Sequence, residues 1–235
     1  MKNRFIALLL AALMLAAFSA GCNVAAPAAP NAELTAEPTA EPTAEPTAEP
    51  TAEPASENYV AGSRTDTGYE SAWLGLRYTL PDNMVMASDE EINAMMDIGA
   101  DEMELDESGK QLIDLAKMTL VYEMMAISMD GTGSNIQIIA EKPALAGITA
   151  AQYVGLLQSQ LPSLVEDVVL GELFTAELAG AAYEAFDYSM LSNGSELFGR
   201  YLVRKQGDRI VSIVLTSLDP AAFDAMLAGF SELPA

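Results

Sequence analysis

Residues 35–54 are five unbroken copies of Thr-Ala-Glu-Pro, and this repeat decides how the rest of the chain is divided. A proline at every fourth position removes a backbone donor and favours extended polyproline II. A glutamate at every fourth position adds self-repulsion, and no side chain in the repeat can build an apolar core. With the Ala/Pro-rich sequence before it and Ala55-Ser56-Glu57 after it, the repeat predicts a disordered, solvated, semi-stiff tether over residues 22–57. At about 3.1 Å per residue such a tether reaches on the order of 100 Å when fully extended. What remains is a short N-terminal segment, 1–21, and the 178 residues of 58–235, enough for one domain with its own core.

The N-terminal segment reads as an export signal. Lys2 and Arg4 precede an apolar run over residues 5–18. Fourteen residues fall short of the roughly 20 needed to span a bilayer and match the hydrophobic region of a signal peptide. The run ends in Phe18-Ser19-Ala20-Gly21-Cys22, which resembles a bacterial lipobox, with Ser19 where that pattern most often has Leu, Val or Ile. Cys22 is the only cysteine. The resemblance implies cleavage after Gly21, a diacylglycerol on the Cys22 thioether, and a protein held on the extracytoplasmic face of a bacterial cell membrane. Two acyl chains, at about 0.8 kcal/mol per buried methylene, anchor stably without a transmembrane helix. Lipidation of Cys22 would leave no thiol for a disulfide.

Charge and composition narrow the chemistry. Residues 58–235 carry 27 acids against nine bases, a formal charge of about −18 within a whole-chain value of −23. Such a surface repels phosphate backbones and anionic headgroups, so no nucleic-acid partner is expected. Histidine is absent, which excludes His-based triads and His-ligated zinc. The lysines at 110, 117, 142 and 205 follow no Ser-x-x-Lys motif. No cofactor is implied.

Local patterns predict an α+β domain. Residues 73–80 read as a strand stopped by Pro81-Asp82-Asn83. Ser88 and Glu91 form a capping box ahead of Ile92, Met95 and Met96, and a second helical piece is expected over 109–118. Residues 119–130 and 135–141 form a hairpin. Thr149 and Gln152 cap a helix carrying Tyr153, Val154, Leu156, Leu157 and Leu161, which Pro162 bends or ends. Strands are expected over 168–173, 175–178, 181–191, 197–206 and 209–218, with Asn193-Gly194 and Gly207-Asp208 at turns. Asp219 and Pro220 then open a last helix running through Phe223, Met226, Leu227 and Phe230. The predicted architecture is a single twisted antiparallel sheet flanked by helices.

The run Gly75-Leu76-Arg77-Tyr78-Thr79-Leu80-Pro81 before a helix, the Glu141-Lys142-Pro143 stretch leading to Thr149, and three C-terminal strands before a last helix resemble the PsbP-like sandwich. That resemblance implies a domain used for docking on other proteins more than for chemistry.

Four constellations are candidate sites. Asp101, Glu102, Glu104 and Asp106, with Asp89, Asp97 and Glu107 nearby, could offer a calcium ion its oxygens. They lack the alternate-residue spacing and turn glycine of an EF-hand. Methionines at 84, 86, 95, 96, 103, 118, 124, 125 and 129 could supply thioethers to copper, but their spacing fits a core. Asp187 and Glu196 could face each other across the Asn193-Gly194 hairpin, and Tyr69, Trp73 and Tyr78 could form an aromatic binding patch or close a core edge. The expectation is a non-enzymatic, membrane-anchored domain that binds a protein or envelope component, the alternative being a small-molecule or divalent-cation binding lipoprotein.

Overall fold

The computed structural model describes residues 58–102, 120–143, 145, 147–165, 167–192 and 194–233. The signal, Gly21, Cys22, the tether and the 109–118 helix lie outside the described residues. Fourteen elements are described in chain order. They are β1 (Ser63–Thr65), β2 (Gly68–Ser71), β3 (Leu76–Thr79), β4 (Met84–Met86), α1 (Asp89–Glu102), β5 (Leu120–Ser128), β6 (Asn135–Glu141), α2 (Ala150–Leu164), β7 (Val169–Leu178), β8 (Ala181–Ser192), β9 (Ser195–Gln206), β10 (Arg209–Ser217), α3 (Ala222–Leu227) and β11 (Phe230–Glu232).

Every strand pairing is antiparallel. The strands form a seven-stranded sheet in the order β4-β5-β6-β10-β9-β8-β7 and a four-stranded sheet in the order β1-β2-β3-β11. The α+β antiparallel sandwich expected from the sequence is therefore present, with a second, smaller sheet added to it. Both faces of the large sheet are covered. On β10, Ile210 and Val214 join the core beneath α2, with Tyr153, Val154, Leu157 and Leu161. The alternate residues Val211, Ile213 and Leu215 join the core beneath the small sheet and α3, with Tyr69, Trp73, Leu76, Tyr78, Phe223 and Met226. A strand flanked by a layer on each side has no polar face, so β10 reads as a nearly continuous apolar run. A third, smaller core joins Ile92 and Met95 of α1 to Met125.

The local caps form as their sequences dictate. Glu91 Oε2 accepts from the Ser88 N–H and hydroxyl at 2.8 and 2.9 Å, while Ser88 Oγ accepts from the Glu91 N–H at 3.3 Å. Thr149 and Gln152 make the reciprocal pair at the start of α2. Pro162 is accommodated inside the last turn of that helix, which ends two residues later. The expected strands over 168–173 and 175–178 are one strand, β7. A bulge sets Gly171 and Glu172 opposite Asp187 alone, and a Cβ at Gly171 would meet the Asp187 carbonyl at 3.0 Å.

The C-terminal helix is shorter than expected. Asp219 Oδ1 accepts from the Ala221 N–H at 3.0 Å, capping a preliminary turn, and α3 then lasts six residues. Phe230 belongs to β11 instead of the helix, opposite Tyr78 of β3. Gly229 permits this reversal: a Cβ there would lie 2.7 Å from the Thr79 carbonyl, and its own carbonyl accepts from the Thr79 N–H at 2.9 Å. The closing strand sets Phe230 against Tyr78, the rings tilted at 49° with centroids 4.6 Å apart.

Candidate functional site

Two regions stand out among the described residues: the place where residues 58–62 meet the large sheet, and the outer edge formed by β7. At the first, Glu123 sits in the apolar run of β5, where the pairing with β6 shifts register between Tyr122 and Met124. It is 3 % exposed. Its carboxylate accepts from the Tyr59 hydroxyl, from the Tyr69 hydroxyl at 2.8 Å and from the Gly62 N–H at 2.8 Å. Burial, together with the neighbouring Glu123, holds both phenols well above the ordinary tyrosine range. Arg209 lies over the Tyr59 ring at 3.9 Å and Trp73 meets the same ring edge-on at 5.1 Å. With its donors supplied, this carboxylate is a fastener for the incoming chain.

A second buried carboxyl, Glu141 on β6, is 2 % exposed and accepts from the Tyr153 hydroxyl of α2. Burial raises its pKa, and the Tyr153 hydrogen bond opposes the rise. Sequence reading passed over both glutamates. Their signal was a lone acid within an apolar β run, as in Leu120-Val121-Tyr122-Glu123-Met124-Met125.

The β7 edge is different in kind. β7 pairs with β8 on one side and with no described strand on the other. Val169, Leu173 and Phe174 are exposed along it, at 65 %, 50 % and 36 %, and Leu191 on β8 beside its beginning is 62 % exposed. Four of the nine large apolar side chains found exposed among the described residues therefore lie on this one corner. Asp187 does not face Glu196, as the sequence suggested. It opposes Arg200, while Glu196 opposes Leu191. The hairpin is long enough to place the two acids four residues apart along it. Arg200 grips Asp187 with two bonds of 2.6 and 2.8 Å and lies 5.4 and 5.5 Å from the Phe174 and Phe223 rings. The ion pair with Asp187 raises the Arg200 pKa further.

The other sequence candidates disperse. Tyr69, Trp73 and Tyr78 are buried in the core beneath the small sheet, so they close that core and present no exposed patch. The methionines divide similarly: Met84 and Met124 lie in that core, Met95 and Met125 in the small core under α1, and Met129 is exposed beyond the end of β5. Asp101 and Glu102 are the last described residues of α1, while Glu104, Asp106, Glu107, Met103 and Met118 lie outside the described residues. Among the described residues no three acids, cysteines or histidines converge as metal ligands, and no helix is long and apolar enough to cross a membrane. Among the described residues, a groove of about 580 Å³ is lined by Leu145, Gly147 and Ile148 and by Gln152, Gly155 and Leu156 of α2, none of them titratable.

No protein-family model and no curated protein sequence matches the chain. Solved structures resemble it at low identity. PA94 from Pseudomonas aeruginosa aligns at TM-score 0.34 and 17 % identity over 39 % of this chain, which spans 62 % of that protein's length, less than two thirds. LpqN of Mycobacterium tuberculosis, involved in cell envelope biogenesis, aligns at TM-score 0.41 and 12 % identity, covering 68 % of this chain and 83 % of its own. Cyanobacterial PsbP (CyanoP) from Synechocystis sp. PCC 6803 aligns at TM-score 0.42 and 11 % identity, covering 74 % of this chain and 98 % of its own.

Proposed function

We propose that the chain is a lipoprotein anchored through Cys22 on the extracytoplasmic face of a bacterial membrane, and that its domain docks a protein partner along the β7 edge. The observation that carries the docking reading is the concentration of exposed apolar side chains on a ten-residue strand whose outer edge pairs with no described strand. Such an edge invites another chain unless it is blunted. The apolar runs at 5–18 and the lipobox-like residues up to Cys22 support the anchor, and the Thr-Ala-Glu-Pro repeat supports a spacer that gives the domain reach.

A photo-crosslinking amino acid placed at Leu173, and in a second strain at exposed Asn93 on α1, tests the docking reading in intact cells. The Leu173 probe is expected to capture one protein reproducibly and the Asn93 probe is not. Absence of any product from Leu173, or the same products from both positions, overturns it. For the anchor, Cys22→Ala is expected to leave an unprocessed or mislocalised precursor, and membrane fractionation identical to the parent chain overturns that part.

A further inference from the structure

We infer that the docked partner meets β7 as an extended segment bearing lysine or arginine at alternate positions, and so adds an eighth strand to the large sheet. This rests on the docking reading above. Past the Gly171-Glu172 bulge, residues 173–178 pair in regular register with residues 181–186 of β8. The bulge carbonyl of Gly171 is taken by the Gln158 side chain at 3.0 Å. Residues 173–178 therefore form the regular part of the free edge, and an incoming strand would bond to its backbone.

The two faces of that edge differ. Phe174, Ala176 and Leu178 lie on the side of the small sheet, Phe174 beneath Arg200 and the other two against that core. Leu173, Thr175 and Glu177 lie on the α2 side, where Thr175 opposes Glu184, and Glu172 projects from the bulge. Arg200, the cation beside Phe174, is held by Asp187. An added strand therefore meets an apolar row on one face and, on the other, Leu173 and Thr175 flanked by Glu172, Glu177 and Glu184, which asks for apolar residues alternating with bases. A second copy of this chain fits poorly, because antiparallel pairing of two β7 edges would set the acids Glu172 and Glu177 of one copy among the same acids of the other in a protein of net charge −23. Anionic lipid is repelled by the same charge.

The test uses the full chain and a fluorescent ten-residue peptide of alternating valine and lysine. One control replaces lysine by glutamate, and another methylates alternate backbone nitrogens. Anisotropy gives affinity and amide hydrogen exchange gives location. The expected result is slowed exchange across residues 173–178, affinity at least tenfold above both controls, and weakening by added salt. Glu172→Lys with Glu177→Lys is expected to cost the lysine peptide tenfold and to favour the glutamate peptide. Equal binding of the methylated peptide, protection confined to another surface, or self-association through β7 overturns the inference. A cellular partner captured at Leu173 whose contacting segment is acidic also overturns it while leaving the docking reading intact; no capture at all removes both.

Discussion

Glu123 and Glu141 are the same residue type, lie on neighbouring strands of one sheet and are almost equally buried, yet they are treated differently by their surroundings. Glu123 receives two phenols and a backbone N–H, all from residues 59–69, whereas the hydrogen bond described for Glu141 comes from one phenol on α2. A buried acceptor is cheap to keep when donors surround it and costly when burial outweighs them. Glu123 thus binds the beginning of the domain to the sheet, while Glu141 holds a helix to the same sheet at an energetic disadvantage that depends on pH.

Removing each carboxyl sharpens this contrast. Glu123→Ala strands three donors at once and is expected to destabilise by on the order of 4 kcal/mol, read from urea unfolding, with new proteolytic cleavage near residues 58–62. A loss as small as that of a surface substitution would break the comparison. Tyr153→Phe deletes the donor to Glu141 and is expected to cost about 1–2 kcal/mol, and to raise the Glu141 pKa further, because that hydrogen bond is what lowers it.

The pH dependence of Glu141 gives a signed test. Its pKa in the folded protein is raised from the ordinary 4.5, so its contribution to stability is complete below that value and is lost as pH rises through the folded value. Glu141→Gln cannot titrate. Its stability relative to the parent is expected to improve as pH is raised from about 4 to about 8, and a constant difference would show that burial does not penalise this carboxylate. The smallest expected effect is Tyr59→Phe. Tyr59 is half-buried, and Glu123 keeps two other donors, so the cost is about 1 kcal/mol or less in thermal unfolding.

What the sequence disclosed follows the range of the interactions involved. The two capping boxes, the β5–β6 hairpin and the long C-terminal strands are encoded within a few residues, and each forms where expected. Of the small sheet only β3 was legible, inside the strand expected over 73–80; β1, β2 and β11, three or four residues each, carry almost no periodic signal. Its closing pair, Phe230 with Tyr78, joins residues far apart in the chain. The glutamate fastener was hidden for a related reason: Tyr59, Gly62 and Tyr69 have no pattern in common until the fold brings them to Glu123. The β7 edge was legible as a strand, but its position at the margin of the sheet depends on strand order, which no local pattern states.

The placement of the fastener also governs how the domain bears load. A pull on the chain ahead of Asn58 would unzip β1 from β2 one pair at a time, starting at Ser63 and Glu70, the weakest way to strain a hairpin. The bonds from Tyr59 and Gly62 to Glu123 lie upstream of that point and attach to a strand inside the large sheet. Tension arriving ahead of Asn58 is therefore passed to β5 before it reaches the small sheet, and is spread over the broadest hydrogen-bonded layer among the described residues.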